Sequence, residues 1–247
     1  MKTFAVTDVG RARSNNQDYI YSNELSVGHL DNLFIVADGM GGHSGGEVAS
    51  MTATETIVSY VNESDIDKPV KLLQHAIEAA NAKLVEMASE DSELEGMGTT
   101  VVAATIKDDQ MYLANVGDSR LYIIHEDIEQ ITKDHSLVDE LVRSGSISKE
   151  EARFHPKKNV ITRAVGAREG ILIDLFQVSL EPGDLILMCT DGLTNMLEDE
   201  DIFLMVRQQR DVVGQVTALV EAANANGGYD NISVIIIDPF SNEVKTC

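Results

Sequence analysis

The sequence predicts an α+β fold in which antiparallel sheets pack together and helices lie outside. Three observations carry that expectation. Successive apolar runs are separated by breaks of very few residues, strands and helices arrive in blocks, and two late runs are apolar almost throughout. Short breaks favour antiparallel neighbours, because parallel strands need a long crossover between them. Block order argues against a doubly wound parallel sheet, which requires alternation.

The first clear element is a buried strand, "LFIVAD", ended by Asp38 and followed by five glycines in the eight residues from Gly39 to Gly46. A helix begins in that loop, with a sparse stripe of Val48, Met51, Val58 and Val61. The next helix is stronger. Val70, Leu73, Ile77, Ala80, Leu84 and Met87 recur at steps of three and four, with Pro69 in the first turn and Asp67 as the expected cap. "TTVVAATIK", "QMYLANVG" and "RLYIIHE" then follow across the breaks "DD" and "DS", and read as hairpins. "ILIDLFQVSL", "DLILMCTDG" and "DNISVIIIDP" add three strands, the last two expected to be buried on both faces. A short helix around Ile202 and Val206 and a longer one along Val213, Val216, Val220 and Ala223 complete the set. No repeat or linker interrupts this order, so a single domain is expected over 1–240, with a short tail over 241–247.

Composition narrows the function classes. The 247 residues are 43% hydrophobic and 24% charged, ordinary for a globular protein long enough to bury a sizeable core. Basic residues number 19 and acidic residues 41, a formal charge of 19 − 41 = −22. Nucleic acid is disfavoured as a partner, because its phosphates reward a basic surface, whereas divalent cations suit this one. Cys189 and Cys247 are the two cysteines, which imply no disulfide framework and fit a reducing compartment. The opening "MKTFAVTDVG" is too short in apolar run for a signal peptide, and no run reaches membrane-spanning length. The expectation is a cytoplasmic monomer that does not insert into membranes.

One segment departs from the acidic average. Arg143, Lys149, Arg153, Lys157, Lys158, Arg163 and Arg168 are seven of the 19 basic residues, opposed locally only by Glu150 and Glu151, a charge of +5. The plain reading is a solvated helix and loop; the functional one is a patch for an acidic group on a partner.

Familiar catalytic devices are missing. The glycine-rich loop lacks the Lys-Ser/Thr pair of a nucleotide phosphate loop, and Gly39, Gly41 and Gly42 do not complete a dinucleotide fingerprint. Cys189 is followed six residues on by Asn195 rather than arginine, so a phosphate-binding cysteine loop fails, and Cys189 reads as a buried core thiol. No serine elbow occurs, and the six histidines show no zinc spacing.

Aspartates remain, all in one kind of position. Asp38, Asp118 and Asp191 end apolar runs, and Asp230 opens one; glycines adjoin three of them at Gly39, Gly117 and Gly192. One Asp at a strand end is commonly a turn residue. Four at the ends of central strands are another matter, because converging carboxylates repel unless a cation sits among them. All-oxygen ligation favours a hard cation such as Mg²⁺ or Mn²⁺, and a glycine after the Asp lets its carbonyl turn inward.

In order along the chain, "RARSNNQD", "VADGMGGH", "GMGTTVV", "ANVGDSR", "TDGL" and "GGYDNISV" resemble the motif set of the bacterial metal-dependent type 2C protein serine/threonine phosphatases. The resemblance runs from about Thr7 to Asp238. It implies a four-layer αββα sandwich, two antiparallel sheets packed face to face and flanked by antiparallel helix pairs. It further implies two Mn²⁺ or Mg²⁺ ions at one end, and hydrolysis of phosphoserine and phosphothreonine in proteins by a hydroxide held between them, attacking phosphorus in line.

Residue by residue, the resemblance makes Asp38 the bridging ligand and the Gly39 carbonyl a ligand of one ion. Asp191 and Asp230 complete the other, and Asp18 supports the pair through water. Asp118 matches the position that, with Asp191, holds a weaker third ion, and Arg13 matches the phosphate-binding arginine. The basic stretch 143–168 falls where relatives carry a flap. Phosphorylated proteins, among them a serine/threonine kinase and its substrates, are the implied partners. The chain departs from eukaryotic relatives at Met40, where they carry histidine after the Asp-Gly pair; His43 is the nearest replacement and the candidate proton donor to the leaving oxygen. The rival reading is an inactive relative that binds phosphoproteins as a regulatory module.

Overall fold

The computed structural model describes residues 1–42 and 44–241. The first half contains β1 (Lys2–Asp8), β2 (Asp18–Asn23), β3 (Leu33–Met40), α1 (Gly45–Glu63) and α2 (Pro69–Glu90). It continues with β4 (Gly98–Thr99), β5 (Val101–Lys107), β6 (Gln110–Val116), β7 (Arg120–Ile124) and β8 (Ile128–Gln130). The second half supplies α3 (Leu137–Arg143), α4 (Lys149–Arg153), β9 (Asp174–Ser179) and β10 (Leu185–Cys189). After these come α5 (Asp191–Thr194), α6 (Asp199–Gln208), α7 (Val212–Ala225) and β11 (Ile232–Asp238).

These strands form two sheets, ordered β1-β11-β10-β7-β8 and β2-β3-β5-β6-β9, with β4 added at the end of β3. Neighbours are antiparallel throughout. Period-two alternation sorts the side chains into layers. On β3, Leu33, Ile35 and Ala37 face α1 and α2, while Phe34 and Val36 face the other sheet. On that other sheet Ile186, Met188, Ile235 and Ile237 meet them, and Leu187, Val234 and Ile236 turn outward to α6 and α7. The inner strands of the two central layers are thus covered on both sides, which is why β10 and β11 are apolar almost throughout. The αββα sandwich expected from the family resemblance is the observed architecture.

The helices correct three details. Lys68, not Asp67, is the N-cap of α2 and supplies no side-chain cap; Pro69 does open the helix. On α1 the buried face is Ala49, Ser50, Ala53, Thr54, Ile57 and Val61, while Met51 is exposed and Val48 and Val58 are half-buried. The cause is close approach. A Cβ on Gly46 would stand 2.7 Å from the Gly39 carbonyl oxygen, so small residues face β3 and the apolar stripe misleads. On α7, Val216, Val220 and Ala223 are buried but Val213 is exposed.

The "DS" break is no hairpin. β6 pairs with β5 and β9, β7 with β8 and β10, so Gly117, Asp118 and Ser119 carry the chain from one sheet to the other. Gly117 has φ +109, and a Cβ there would lie 2.5 Å from Thr100 Cγ2, so only glycine makes this corner. The corner opens at the same end of the sandwich as the β1–β2 loop, the end of β10 and the start of β11. Among the described residues no helix is long and apolar enough to cross a membrane.

Candidate active site

That end of the sandwich holds a cleft of about 250 Å³ whose lining includes Arg13, Asp38, Gly39, Asp118, Asp191 and Asp230. Asp38 does not terminate its strand, as the sequence suggests, because β3 runs on to Met40 and pairs there with β4. Its backbone is clamped. The Asp38 N–H donates to Thr100 Oγ1, and its carbonyl accepts from the Thr100 N–H and from Thr99 Oγ1, all at 2.9 Å. Thr100 Oγ1 in turn shares a hydrogen bond of 2.7 Å with Ser119 Oγ, beside Asp118.

Asp18 opens β2 directly opposite Asp38 in the β2–β3 register. It is 7% exposed and stands behind the cleft lining, with Oδ2 accepting from Thr190 Oγ1 at 2.8 Å and Ser233 Oγ at 2.7 Å. Like charges directly across a strand pair are unfavourable, so two hydroxyls and a buried setting hold Asp18 where repulsion would move it. Asp191 is the first residue of α5 rather than the last of β10. Its Oδ2 accepts from Asn195 Nδ2 at 2.9 Å, while its Oδ1 is buried with no hydrogen-bond partner. A buried carboxylate oxygen left bare is costly, and a cation is the partner its charge calls for.

Asp230 lies just before β11 and pairs with Arg13 Nη2 at 2.8 Å. The loop bearing Arg13 is fixed by Asn231, whose Oδ1 accepts from the Gln17 N–H and whose Nδ2 donates to the Val9 and Asn15 carbonyls, each at 2.9 Å. From the basic stretch, Asn159 and Ile161 reach the cleft lining. Its arginines are partly committed: Arg143 pairs with Asp139, Arg153 with Glu198 and Arg163 with Asp174. His43 lies outside the described residues. Cys189 is fully buried, and burial pushes its thiol up to about 12, an inert core position.

Proton affinities report the crowding. Burial, then the charges of Asp18, Asp191, Asp118 and Asp230, push the Asp38 carboxyl well above the carboxylate range. Burial raises Asp18 to about 7 against the opposing bonds from Ser233 and Thr190. It raises Asp118 to about 8, helped by Asp191. Asp191 rises to about 6 through burial and Asp230, with Arg120 opposing. The folded chain therefore binds more protons than the unfolded chain between about pH 4 and 8, and stability falls as pH rises across that window. Urea unfolding in EDTA is expected to give a less stable protein at pH 8 than at pH 5, and excess Mn²⁺ to restore stability at pH 8. A flat profile in EDTA would mean that neither burial nor neighbouring charge raises these carboxyls.

A protein phosphatase 2C family model matches residues 10–228. The chain belongs to this family. The member described here is 38% identical to the serine/threonine phosphatase stp of Listeria innocua over 239 residues, 94% of this chain and 93% of that one. It is 39% identical to the protein phosphatase PhpP of Streptococcus pneumoniae over 241 residues, 96% of this chain and 97% of the relative. Among solved structures, the catalytic domain of the phosphatase PstP in complex with two manganese ions superposes with a TM-score of 0.84 at 32% identity, covering 95% and 96% of the two chains.

Sequence reasoning overlooked the residues that set up the carboxylates. Thr190 and Asn231 adjoin an aspartate, Thr99, Thr100 and Ser233 lie inside the quoted motifs, and Asn195 lies two residues beyond one; those positions were the available signal. His135 had no such signal.

Proposed function

We propose that this chain is a divalent-metal-dependent phosphatase acting on phosphoserine and phosphothreonine in proteins, with Asp38, Asp191, Asp230 and the Gly39 carbonyl holding two Mn²⁺ or Mg²⁺ ions. The buried Asp191 Oδ1, without a hydrogen-bond partner in a cleft lined also by Asp38, Asp118 and Asp230, is the observation that carries this reading. Among the described residues no three acidic, imidazole or thiol side chains form a ready-made ligand set; a hard cation also takes backbone carbonyl and water oxygens, and the Gly39 carbonyl is assigned here as one of them. We assign Asp18 to support through water, and Asp118 with Asp191 to a weaker third ion.

Bound divalent ions supply an acidified water and positive charge beside the phosphoryl oxygens. The protein supplies position. Thr99 and Thr100 fix Asp38, the hydroxyls of Thr190 and Ser233 fix Asp18, and Asn195 orients Asp191. Arg13 engages Asp230 through Nη2, and its other N–H donors can pair with phosphate oxygens in charge-assisted bonds. His43 is assigned the proton donated to the departing serine or threonine oxygen. We place the catalytic domain at 1–240, its flap at 143–168, and the protein in the cytoplasm as a monomer acting on a kinase and that kinase's substrates. The test is Mn²⁺-dependent phosphate release from a phosphothreonine peptide, with Asp191→Ala as control. Turnover that survives in Asp191→Ala or in EDTA would overturn the reading.

The lysines of the flap make a separate prediction. Lys157 is exposed and Lys158 half-buried, two positions before and one before Asn159 of the cleft lining. Exposed charges contribute about 1 kcal/mol or less each and are screened beyond about 8 Å at physiological salt. Replacing both with alanine is expected to raise KM for an acidic phosphoprotein several-fold at low salt, less at high salt, and to spare nitrophenyl phosphate. Equal losses on both substrates would remove the flap from substrate recognition.

A further inference from the structure

His135 is 1% exposed and lies outside every stretch that carries metal or phosphate chemistry. Its contacts nevertheless span the site. Nδ1 accepts the Gly117 N–H at 3.0 Å, and the His135 backbone N–H donates to the Gly117 carbonyl at 3.0 Å, a reciprocal clamp on the corner that presents Asp118. Because Nδ1 accepts, the proton of the neutral ring sits on Nε2. Nε2 lies 3.2 Å from Asp174 Oδ2, to which it donates. It also lies 3.1 Å from Arg163 Nη1, but two donors make no bond, and Arg163 donates instead to Asp174 Oδ1 at 2.8 Å. Burial first, then the Arg163 charge, lower the proton affinity of the ring against the pull of Asp174, in keeping with the neutral form.

The backbone extends the same connection. The His135 carbonyl accepts the Thr162 N–H at 2.7 Å, the Leu137 N–H donates to the Val160 carbonyl at 2.8 Å, and Ser136 bridges Ile161. Asn159 and Ile161 of this stretch line the cleft opposite the carboxylates. The buried ring thus ties the Asp118 corner to Asp174 of β9, which also holds Arg163, while the backbone of His135 and Leu137 pairs with Thr162 and Val160.

We propose that His135 is a positioning residue for the phosphatase reaction, holding the Gly117–Asp118 corner and the 159–163 stretch in one fixed relation across the cleft. The inference rests on the assignment of Asp118 to the ion site. Side chains that merely fill space would be replaceable by any residue of similar volume. A polar joint has two ends, and they separate chemically. In His135→Asn the amide takes the place of Nδ1, so it can accept from Gly117 but cannot reach Asp174. In His135→Gln the amide takes the place of Nε2, reaching Asp174 and leaving the Gly117 N–H without an acceptor.

The experiment compares these variants with Asp118→Ala by hydrogen exchange in EDTA and by the Mn²⁺ and substrate dependence of turnover. His135→Gln is expected to speed exchange around 117–119 and to raise the Mn²⁺ needed for half-maximal rate about tenfold, the scale seen when a ligand's supporting bond is lost. His135→Asn is expected to keep the Mn²⁺ requirement, to speed exchange around 150–162, and to raise KM for a phosphopeptide. Asp174→Asn should repeat the His135→Asn pattern. If His135→Gln does not fold, as judged by circular dichroism, His135→Asn and Asp174→Asn carry the test, and unchanged exchange and KM in both would overturn the proposal. So would identical behaviour of His135→Asn and His135→Gln. Should Asp118→Ala leave the Mn²⁺ requirement unchanged, the assignment of Asp118 fails first and takes this inference with it; if only His135→Gln leaves it unchanged, the inference alone falls.

Discussion

Asp38→Asn is expected to lower turnover at least about 10³-fold, the consequence of losing several kcal/mol of charge stabilisation from a displaced metal ion. Its effect on stability should have the opposite sign. Asp38 is the carboxyl most crowded by others, facing Asp18 across the strand pair and Asp191, Asp118 and Asp230 across the cleft. Asparagine keeps the shape and cannot ionise, so it escapes the penalty that burial and the neighbouring charges place on a carboxylate there. In EDTA at pH 8 the variant should therefore unfold at a higher temperature than the wild type, and at pH 5, where more of the cluster is protonated, the gain should shrink. Mn²⁺ should stabilise the wild type more than the variant. Differential scanning calorimetry with and without Mn²⁺, beside phosphopeptide turnover, reads all three. A variant that is inactive because it unfolds would leave Asp38 a structural residue, and full activity in saturating Mn²⁺ would remove it from the ion site.

Much of this arrangement was legible in the sequence, and the reason is topological. A two-sheet sandwich buries its inner strands on both faces, so β5, β6, β10 and β11 appear as apolar runs, and the polar residue that ends each run stands out. Asp118, Asp191 and Asp230 were visible for that reason. β1 and β2 were not visible as strands. Most of their residues are half-buried, and they sit at the edges of their sheets, so neither periodicity nor hydrophobicity marks them. Asp18 accordingly entered through its motif and not through any strand pattern.

The choice of sheet was hidden as well. β7, like β6, is an apolar run, and nothing local distinguishes a hairpin from a corner between layers; only Gly117, with its positive φ, records the difference. Small-residue faces misled for a related reason. α1 lies against β3 through glycine, alanine and serine, so its burial follows the available space and not hydrophobicity. His135 was illegible because its partners are a backbone N–H 18 residues away and an aspartate on an edge strand.

Gly39→Ala should damage both fold and site, although it adds a single methyl group. A Cβ at this position would lie 2.0 Å from the Gly46 carbonyl oxygen and 2.5 Å from that of Gln17. Both are backbone atoms, one in the first turn of α1 and one beside the start of β2, so neither can turn aside as a side chain would. Relief requires α1 to move away from β3, and α1 carries the Ala49–Ala53–Ile57 face of the outer core. Overpacking of this kind costs about 3 kcal/mol when the surroundings are rigid. The same shift would disturb the Gly39 N–H bond to the Gln17 carbonyl, at 3.1 Å, and with it the alignment of Asp18 opposite Asp38. Gly42→Ala is the matched control, because a Cβ there meets nothing within 4 Å. Urea unfolding is expected to place Gly39→Ala well below the wild type and Gly42→Ala beside it. Turnover per folded molecule should fall in Gly39→Ala even at saturating Mn²⁺, since its carbonyl is an assigned ligand. Equal stabilities for the two variants would show that α1 yields easily, and the close approach of helix to strand would then have no part in holding the carboxylates together.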